Sequence, residues 1–499
     1  MDLSMETDSA STVRTRHNQD LAELTLAEAS ALIHDRSVTP TQLTAAVLQR
    51  IAECDPHLNA YITVSGEDAM TQARELDREQ VAGRLRGPLH GIPIALKDNI
   101  DTAGIPTTAA SGVYRHRIPG EDAEVTRRLY KAGAIIVGKL NLHEFAAGGT
   151  GHVSAFGTTH NPWDLDRVTG GSSSGSGGAV AGRLCFGALG TDTGGSIRIP
   201  SSWCGITGLK PTYGLVSIRG IVPLIYSLDH CGPMTRTAED AAIVLTAIAG
   251  YDPMDPASVE HPAEDYVAAM AQPTSAFRLG APQEFYVGLD PEVQTAMSIA
   301  TELLTALTSG VVSQSSLPPC GDFMHFLAET HCFHEKHLED CSDLFQADTH
   351  QFLTRFPPPT AAEYIRARDR LIELRRSIDR AFDGIDLIIL PTGRILPFTI
   401  AESLESSARA AQNAGIAPQQ WVTIANTYQF NMYGLPALSL PCGFSASGLP
   451  IGMTIAGPRF AEGKILALAA AYQKVTSWHR RRPAFNYASS PSISSVART

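Results

Sequence analysis

No stretch of the 499-residue chain approaches the roughly 18 consecutive apolar residues that a membrane-spanning helix needs. The first twenty residues, MDLSMETDSASTVRTRHNQD, also lack the apolar core of a secretory signal. Both absences lead to the expectation of a cytoplasmic protein with no membrane partner. C-x-x-C pairs are missing too: the eight cysteines are scattered, and a chain this long folds without crosslinks, so reduced thiols are expected. Nor is there a basic excess, since 39 Lys+Arg stand against 51 Asp+Glu and leave a formal net charge of −12. An acidic surface repels phosphate backbones, which argues against nucleic acid as a partner. Charged residues make up only 18% and apolar residues 43%, a globular composition that excludes wholesale disorder.

Residues 1–20 and 486–499 are polar and aperiodic, and are expected to be disordered tails around a single domain over 21–485. Thr25 and Glu28 make a capping box ahead of LAEASALIHDR. Thr39, Pro40 and Gln42 supply N-cap, N1 and N3 of a second helix with Leu43, Val47 and Ile51 on one face. Asp290 and Pro291 start another helix, and Thr360 caps the long amphipathic AAEYIRARDRLIELRRSIDRAF, which leads into a strand over Asp386–Leu390. The runs Gly91–Leu96 and Ala134–Val137 are continuously apolar, as strands covered on both faces are. This interleaving gives an α/β class with a wide, at least partly parallel sheet. Residues from about 250 to 355 carry the weakest strand signal and read as a mostly helical insertion covering one end of the sheet and the site.

The densest run of glycine and serine is TGGSSSGSGGAVAG, Thr169–Gly182, followed closely by GTDTGGSIRIP, Gly190–Pro200. Such backbone is either a tether or a loop that a ligand approaches closely, and the flanking NPWD and LCFGALG favour the loop. Lysine is absent where a P-loop needs it, and G-x-G-x-x-G is not completed after Gly175 and Gly177, so phosphate cradling is not indicated. Gly171–Gly175 spells G-x-S-x-G around Ser173, but DLDRVTGG precedes it rather than the buried strand of a nucleophile elbow. In GTDTGGS, the backbone N–H groups of Thr193, Gly194, Gly195 and Ser196 can form a nest around a developing oxyanion beside the Ser196 hydroxyl. None of the sixteen histidines stands in a context that marks it as the base. Lys97, at the end of the apolar GIPIALK, is drawn into low dielectric, which favours the neutral amine that a base must be. A lysine that snorkels to solvent or pairs with Asp98 is the plain alternative.

GIPIALKDNID, GKLNLHEFAAGGTG, SAFGTTHNPWD, TGGSSSGSGGAVAG, GTDTGGSIRIPSSWCGITGLKPTYG and LDHCGPMTRTAEDAA resemble the successive signature blocks of the amidase signature hydrolases. The likeness runs from about residue 20 to 250 and returns after about 360 in DLIILPT, NMYGLPALSLPCGFSASGLPIGM and WHRRRPA. It implies a large mixed twisted β-sheet sandwiched between α-helices, and a Ser, cis-Ser, Lys triad that needs neither metal nor cofactor. Carried onto this sequence, the resemblance makes Ser196 the nucleophile, Ser172 the bridging serine after a cis bond from Gly171, and Lys97 the base. Thr193, Gly194 and Gly195, with Gly148 and Gly149, fall to oxyanion and substrate binding, and Ser173, Asp192 and Arg198 to support. Ser174 stands where the family commonly has Gly.

The expected activity is that of a stand-alone amidase, cleaving the C–N bond of an apolar or aryl small-molecule amide through a seryl acyl-enzyme. Carbamates (urethanes) and esters lie within reach of the same chemistry, and the reading leaves room for a homodimer. The rival is the glutamine-hydrolysing A subunit of a tRNA-dependent amidotransferase, which holds the charged end of glutamine with an Arg and an Asp. Laying its corresponding stretches on Ala367–Leu371 and Ile424–Pro436 puts Leu371 and Ile424 where those charges stand, so an apolar pocket is expected, with Tyr364, Trp421 and Tyr428 as lining candidates. In HCFHEKHLEDC, His331, His334 and His337 recur at helical spacing beside Cys332 and Cys341. The charged residues between them suit a solvated helix face, with the histidines flanking the substrate entrance, better than a zinc site.

Overall fold

Side-chain chemistry sets the helix starts as the sequence indicates. The Thr25 hydroxyl accepts from the Glu28 amide while the Glu28 carboxylate accepts from the Thr25 amide, and Thr39 with Gln42 and Thr360 with Glu363 close the same reciprocal pair. The helices so started run Leu26–His34, Pro40–Leu58 and Ala361–Ser377, the last tightening into a 3₁₀ turn over Ile378–Phe382. The structure is a computed structural model that describes residues 20–313, 316–321, 323–412 and 422–484. The tails expected at 1–20 and 486–499 therefore lie outside the described residues, apart from Asp20, and so does Trp421.

Among the described residues, thirteen strands follow one another. The first eight are β1 (Tyr61–Val64), β2 (Pro93–Lys97), β3 (Ile135–Leu140), β4 (His160–Asn161), β5 (Asp164–Val168), β6 (Gly187–Asp192), β7 (Thr207–Lys210) and β8 (His230–Thr235). Then come β9 (Arg278–Gly280), β10 (Gly310–Val312), β11 (Leu387–Pro391), β12 (Ala437–Phe444) and β13 (Pro450–Ala456). Eleven of them form one mixed sheet in the order β1-β3-β2-β6-β8-β7-β12-β13-β11-β9-β10, flanked by helices, and β4 with β5 makes a separate ribbon. Neighbours β3, β2 and β6 run parallel, whereas β6, β8, β7, β12 and β13 alternate antiparallel. Every residue of β2, β3, β6 and β8 is buried, which accounts for the apolar runs that lead into β2 and β3. Leu43, Val47 and Ile51 pack into the same core as Ile94, Leu96 and Ile135.

Two departures from expectation bear on the site. The segment 250–355 is not only helical: β9 and β10 pair in parallel and extend the sheet from β11, while the helices Met324–Cys341 and Ala347–Thr354 lie near the site. Strands of three residues are too short to leave a period in a sequence. The Gly/Ser run is not all loop either, since Ser174–Ala181 is a fully buried helix. Glycine and serine are poor helix formers, and tertiary contact overrides that preference. A β-carbon on Gly175 would overlap the Ala60 carbonyl and come within 2.5 Å of the Asn141 nitrogen, so only glycine lets this helix lie so close. Among the described residues no helix is long and apolar enough to cross a membrane, and the eight cysteines form no disulfide.

Candidate functional site

Because β2 and β6 are parallel neighbours, their last residues, Lys97 and Asp192, emerge at the same sheet edge. Lys97 is fully buried, with Nζ 2.7 Å from Ser172 Oγ and 2.7 Å from Thr191 Oγ1. Loss of hydration draws its pKa from 10.5 down to about 7, against the attraction of Asp192 and Asp229. As an ammonium it donates to both hydroxyls; as an amine it keeps an N–H for Thr191 and offers its lone pair to the Ser172 proton. Asn99 Nδ2 donates to the same Thr191 hydroxyl at 3.2 Å, which fixes its orientation.

The Gly171–Ser172 peptide is cis. Backbone hydrogen bonds stitch this turn to its surroundings: the His143 amide donates to the Ser172 carbonyl at 3.0 Å, the Gly171 amide to Gly149 at 2.7 Å, and the Ser173 amide to the Ser196 carbonyl at 3.3 Å. Ser173 Oγ accepts from the Thr191 amide and donates to the Thr191 carbonyl, locking the turn to β6. Ser174 Oγ accepts from Thr159 at 3.3 Å. Ser196 thus lies beside Ser172, yet its own Oγ makes no hydrogen bond among the described residues. The Lys97–Ser172 contact is formed, and the Ser196 hydroxyl is free to meet a ligand.

The loop bearing Ser196 hangs on Asp192. This carboxylate accepts from the amides of Gly195 at 2.8 Å and Ile197 at 3.0 Å, from Arg198 Nε at 3.0 Å and Nη2 at 2.9 Å, and from Asn431 Nδ2 at 2.8 Å. Burial alone would raise its pKa, but the Arg198 guanidinium outweighs that and holds it well below the usual carboxylate range. Arg198, itself wholly buried, also donates to the Thr427 carbonyl at 2.9 Å and to Asn431 Oδ1 at 2.7 Å. Gly195 needs correcting: its amide is committed to Asp192 and does not point at a ligand. What requires glycine there is a φ of +135° with Thr427 packed where a β-carbon would stand. The amides of Thr193, Gly194 and Ser196 are left without acceptors among the described residues. Thr193 is anchored by its hydroxyl, which donates to Asp229 Oδ1 at 2.5 Å. Burial pushes Asp229 up to about 7, although two further backbone amides donate to it.

Ser196, Thr193, Gly194, Gly148 and Gly149 line one cavity of about 290 Å³. Its remaining wall is almost wholly apolar: Leu224, Leu228, Ile424 and Met432, and on the segment after 320 Phe323, Phe326, Leu327, Phe352 and Phe356, with Arg355 as the exception. Ile424 faces the cavity, whereas Leu371 is buried behind it against Leu224, Leu228 and Met432. Of the aromatic candidates Tyr428 lines the cavity. The Tyr364 hydroxyl instead donates to Glu329 at 3.4 Å. The histidine helix is not a solvated face throughout. His334 is fully buried, its ring 4.6 Å from that of Phe145 and 4.8 Å from that of Phe333, and burial lowers its pKa to about 3. His337 meets the Tyr114 hydroxyl at 3.2 Å, and His331 lines a small cavity beside Phe326 and Phe352. Among the described residues no three His, Cys, Asp or Glu are grouped to hold a metal. Thr191, Asn99, Asp229, Thr427 and Asn431 escaped the sequence reading although all but Thr427 stand inside the blocks quoted above, because only their contacts distinguish them.

A model of the amidase family matches residues 42–466. Over 93% of this chain and 99% of its own length, the A subunit of glutamyl-tRNA(Gln) amidotransferase from Moorella thermoacetica is 37% identical. Its counterpart in Methylococcus capsulatus is 40% identical over 92% and 98%. Among solved structures, the peptide amidase of Stenotrophomonas maltophilia superposes with a TM-score of 0.78 at 33% identity, covering 93% of this chain and 99% of its own. The likeness to these amidotransferase chains overturns the expectation of a stand-alone amidase for apolar or aryl amides, carbamates and esters, and favours the rival reading. The choice against glutamine rested on Leu371 and Ile424, of which only Ile424 lines the cavity, whereas the likeness covers 93% and 92% of this chain. The expected partners, a small molecule alone with no nucleic acid and a homodimer at most, are corrected likewise, since these relatives are named as subunits of an enzyme of glutamyl-tRNA(Gln). A net charge of −12 limits this chain's own attraction to phosphate, and places no limit on an assembly that contains it. From the family match together with the shared fold, this chain belongs to the amidase family and is an enzyme of the serine hydrolase type that acts on linear amide C–N bonds.

Proposed function

We propose that this chain is the amide-hydrolysing subunit of an amidotransferase, releasing ammonia from a carboxamide of the glutamine type for a partner subunit, with glutamyl-tRNA(Gln) as acceptor and the cytoplasm as its compartment. The observation that carries the chemistry is the buried Lys97 amine 2.7 Å from Ser172, on the turn that adjoins Ser196. The role within an assembly is supported by the near full-length likeness to A subunits.

In this reading Ser196 Oγ attacks the carboxamide carbon. Its proton passes to Ser172 as the Ser172 proton passes to neutral Lys97, and the free amides of Thr193, Gly194 and Ser196 hold the oxyanion. Collapse of the tetrahedral adduct breaks the C–N bond, the proton returns along the same relay to the leaving nitrogen, and ammonia departs. Water then adds to the Ser196 ester, its proton follows the relay, and the carboxylate leaves with Ser196 restored. Segment 250–355 serves to wall the cavity during this cycle.

The test is ammonia release from glutamine by the chain purified with its co-expressed partners, together with amide formation on glutamyl-tRNA(Gln). Ser196→Ala should lower both by about 10⁴-fold or more, and a fluorophosphonate should label Ser196 in the unsubstituted enzyme. Assemblies that release no ammonia from glutamine, or a chain that recovers no partner, would refute the proposal.

A further inference from the structure

We infer that Arg355 is the specificity residue of the cavity and takes a carboxylate at the end of the substrate remote from the scissile carboxamide, an inference that rests on the proposed hydrolysis. Arg355 follows the helix Ala347–Thr354 and lines the same cavity as Ser196. It is the only charged side chain among the described residues that do so. Its neighbours there, including Phe352, Phe356, Leu224 and Ile424, offer no counter-charge.

The guanidinium lies 5.0 Å from the centroid of the Phe356 ring, and makes neither an ion pair nor a hydrogen bond among the described residues. An arginine at a helix C-terminus has a plain use, bonding to the last carbonyls of the helix. Arg355 makes no such bond, so its donors stay available. A planar fork of N–H donors resting on an aromatic face matches the two oxygens of a carboxylate, and the apolar surroundings strengthen such a pair. No carboxylate lines the cavity to repel that anion or to bind a cation in its place. The charge missing from the helix that carries Leu371 is thus supplied from just past the end of another helix, and a glutamine-type substrate regains a partner for its acid end.

Two primary amides of similar length isolate this contact: glutaramate, which carries a carboxylate, and pentanamide, which does not. Unsubstituted enzyme should prefer glutaramate in kcat/KM. Arg355→Met should lower the glutaramate-to-pentanamide ratio by about 30-fold, chiefly through KM, while Arg355→Lys should keep part of the preference. Binding of glutarate, measured by calorimetry without turnover, should weaken by a similar factor in Arg355→Met. A ratio and a glutarate affinity unchanged within threefold in both variants, or no preference for glutaramate to begin with, would overturn the inference. Glutarate binding that depends on Arg355 in an enzyme that hydrolyses neither amide would sustain it and remove the proposed reaction instead.

Discussion

At the scale of single residues, Lys97 ties stability to pH and, as the base of the proposed reaction, would tie activity to it as well. With its pKa drawn to about 7, the amine fraction grows as pH rises through that value, so kcat/KM should climb through pH about 7 and level off above it, as a pH–rate profile would record. Lys97→Arg, which stays charged, should remove at least about 10³-fold of activity at pH 8. Unfolded, Lys97 holds its proton up to about pH 10.5, whereas the folded protein releases it near 7. The native state therefore bears the cost of this group most fully below pH 7 and is relieved as pH approaches 10.5. Lys97→Met should then be inactive and yet more stable than the unsubstituted protein by about 2 to 4 kcal/mol at pH 6, an advantage that vanishes toward pH 10.5 in denaturant titrations. Lys97 and Ser196 stood out in the sequence by their local composition, whereas Ser172 was singled out only by the family resemblance. Thr191 and Asn431 were marked by neither: a hydroxyl and an amide look alike everywhere in a chain, and only their contacts with Lys97 and Asp192 set them apart.

At the scale of elements, the buried helix Ser174–Ala181 presses the Ser172 turn against β6. Gly175→Ala would put a methyl group onto the Ala60 carbonyl and the Asn141 backbone, and should destabilise the fold by about 2 kcal/mol or more, read as a lowered denaturation midpoint together with lost activity. Helix starts were legible where a side chain answers its own backbone, as at Thr25, Thr39, Asp290 and Thr360. The fully buried strands were legible from unbroken apolar runs, although β2 and β3 begin and end a few residues from where those runs do. What stayed hidden was set by packing at a distance. The helix 174–181 defies its own composition, β9 and β10 are too short for a pattern, and His334 is enclosed by Phe145 and Phe345 from outside its helix.

At the scale of the whole molecule, net charge misled about partners because it is a sum over every face, while assembly depends on one. If the chain works within an amidotransferase, its Tm should rise with the concentration of added partner chains and ammonia release should accelerate with it, both measurable by titration. The sheet order carries a consequence for how the protein is made. The loop that bears Ser196 is fastened by Thr427 and Asn431, and β12, which follows them, lies between β7 and β13 in the middle of the sheet. A ribosome delivers Ser196 long before it delivers those fasteners, so the nascent chain carries the proposed nucleophile unbraced for much of synthesis. For the proposed reaction, hydrolytic competence would arrive only when the late-made strands have been threaded into place.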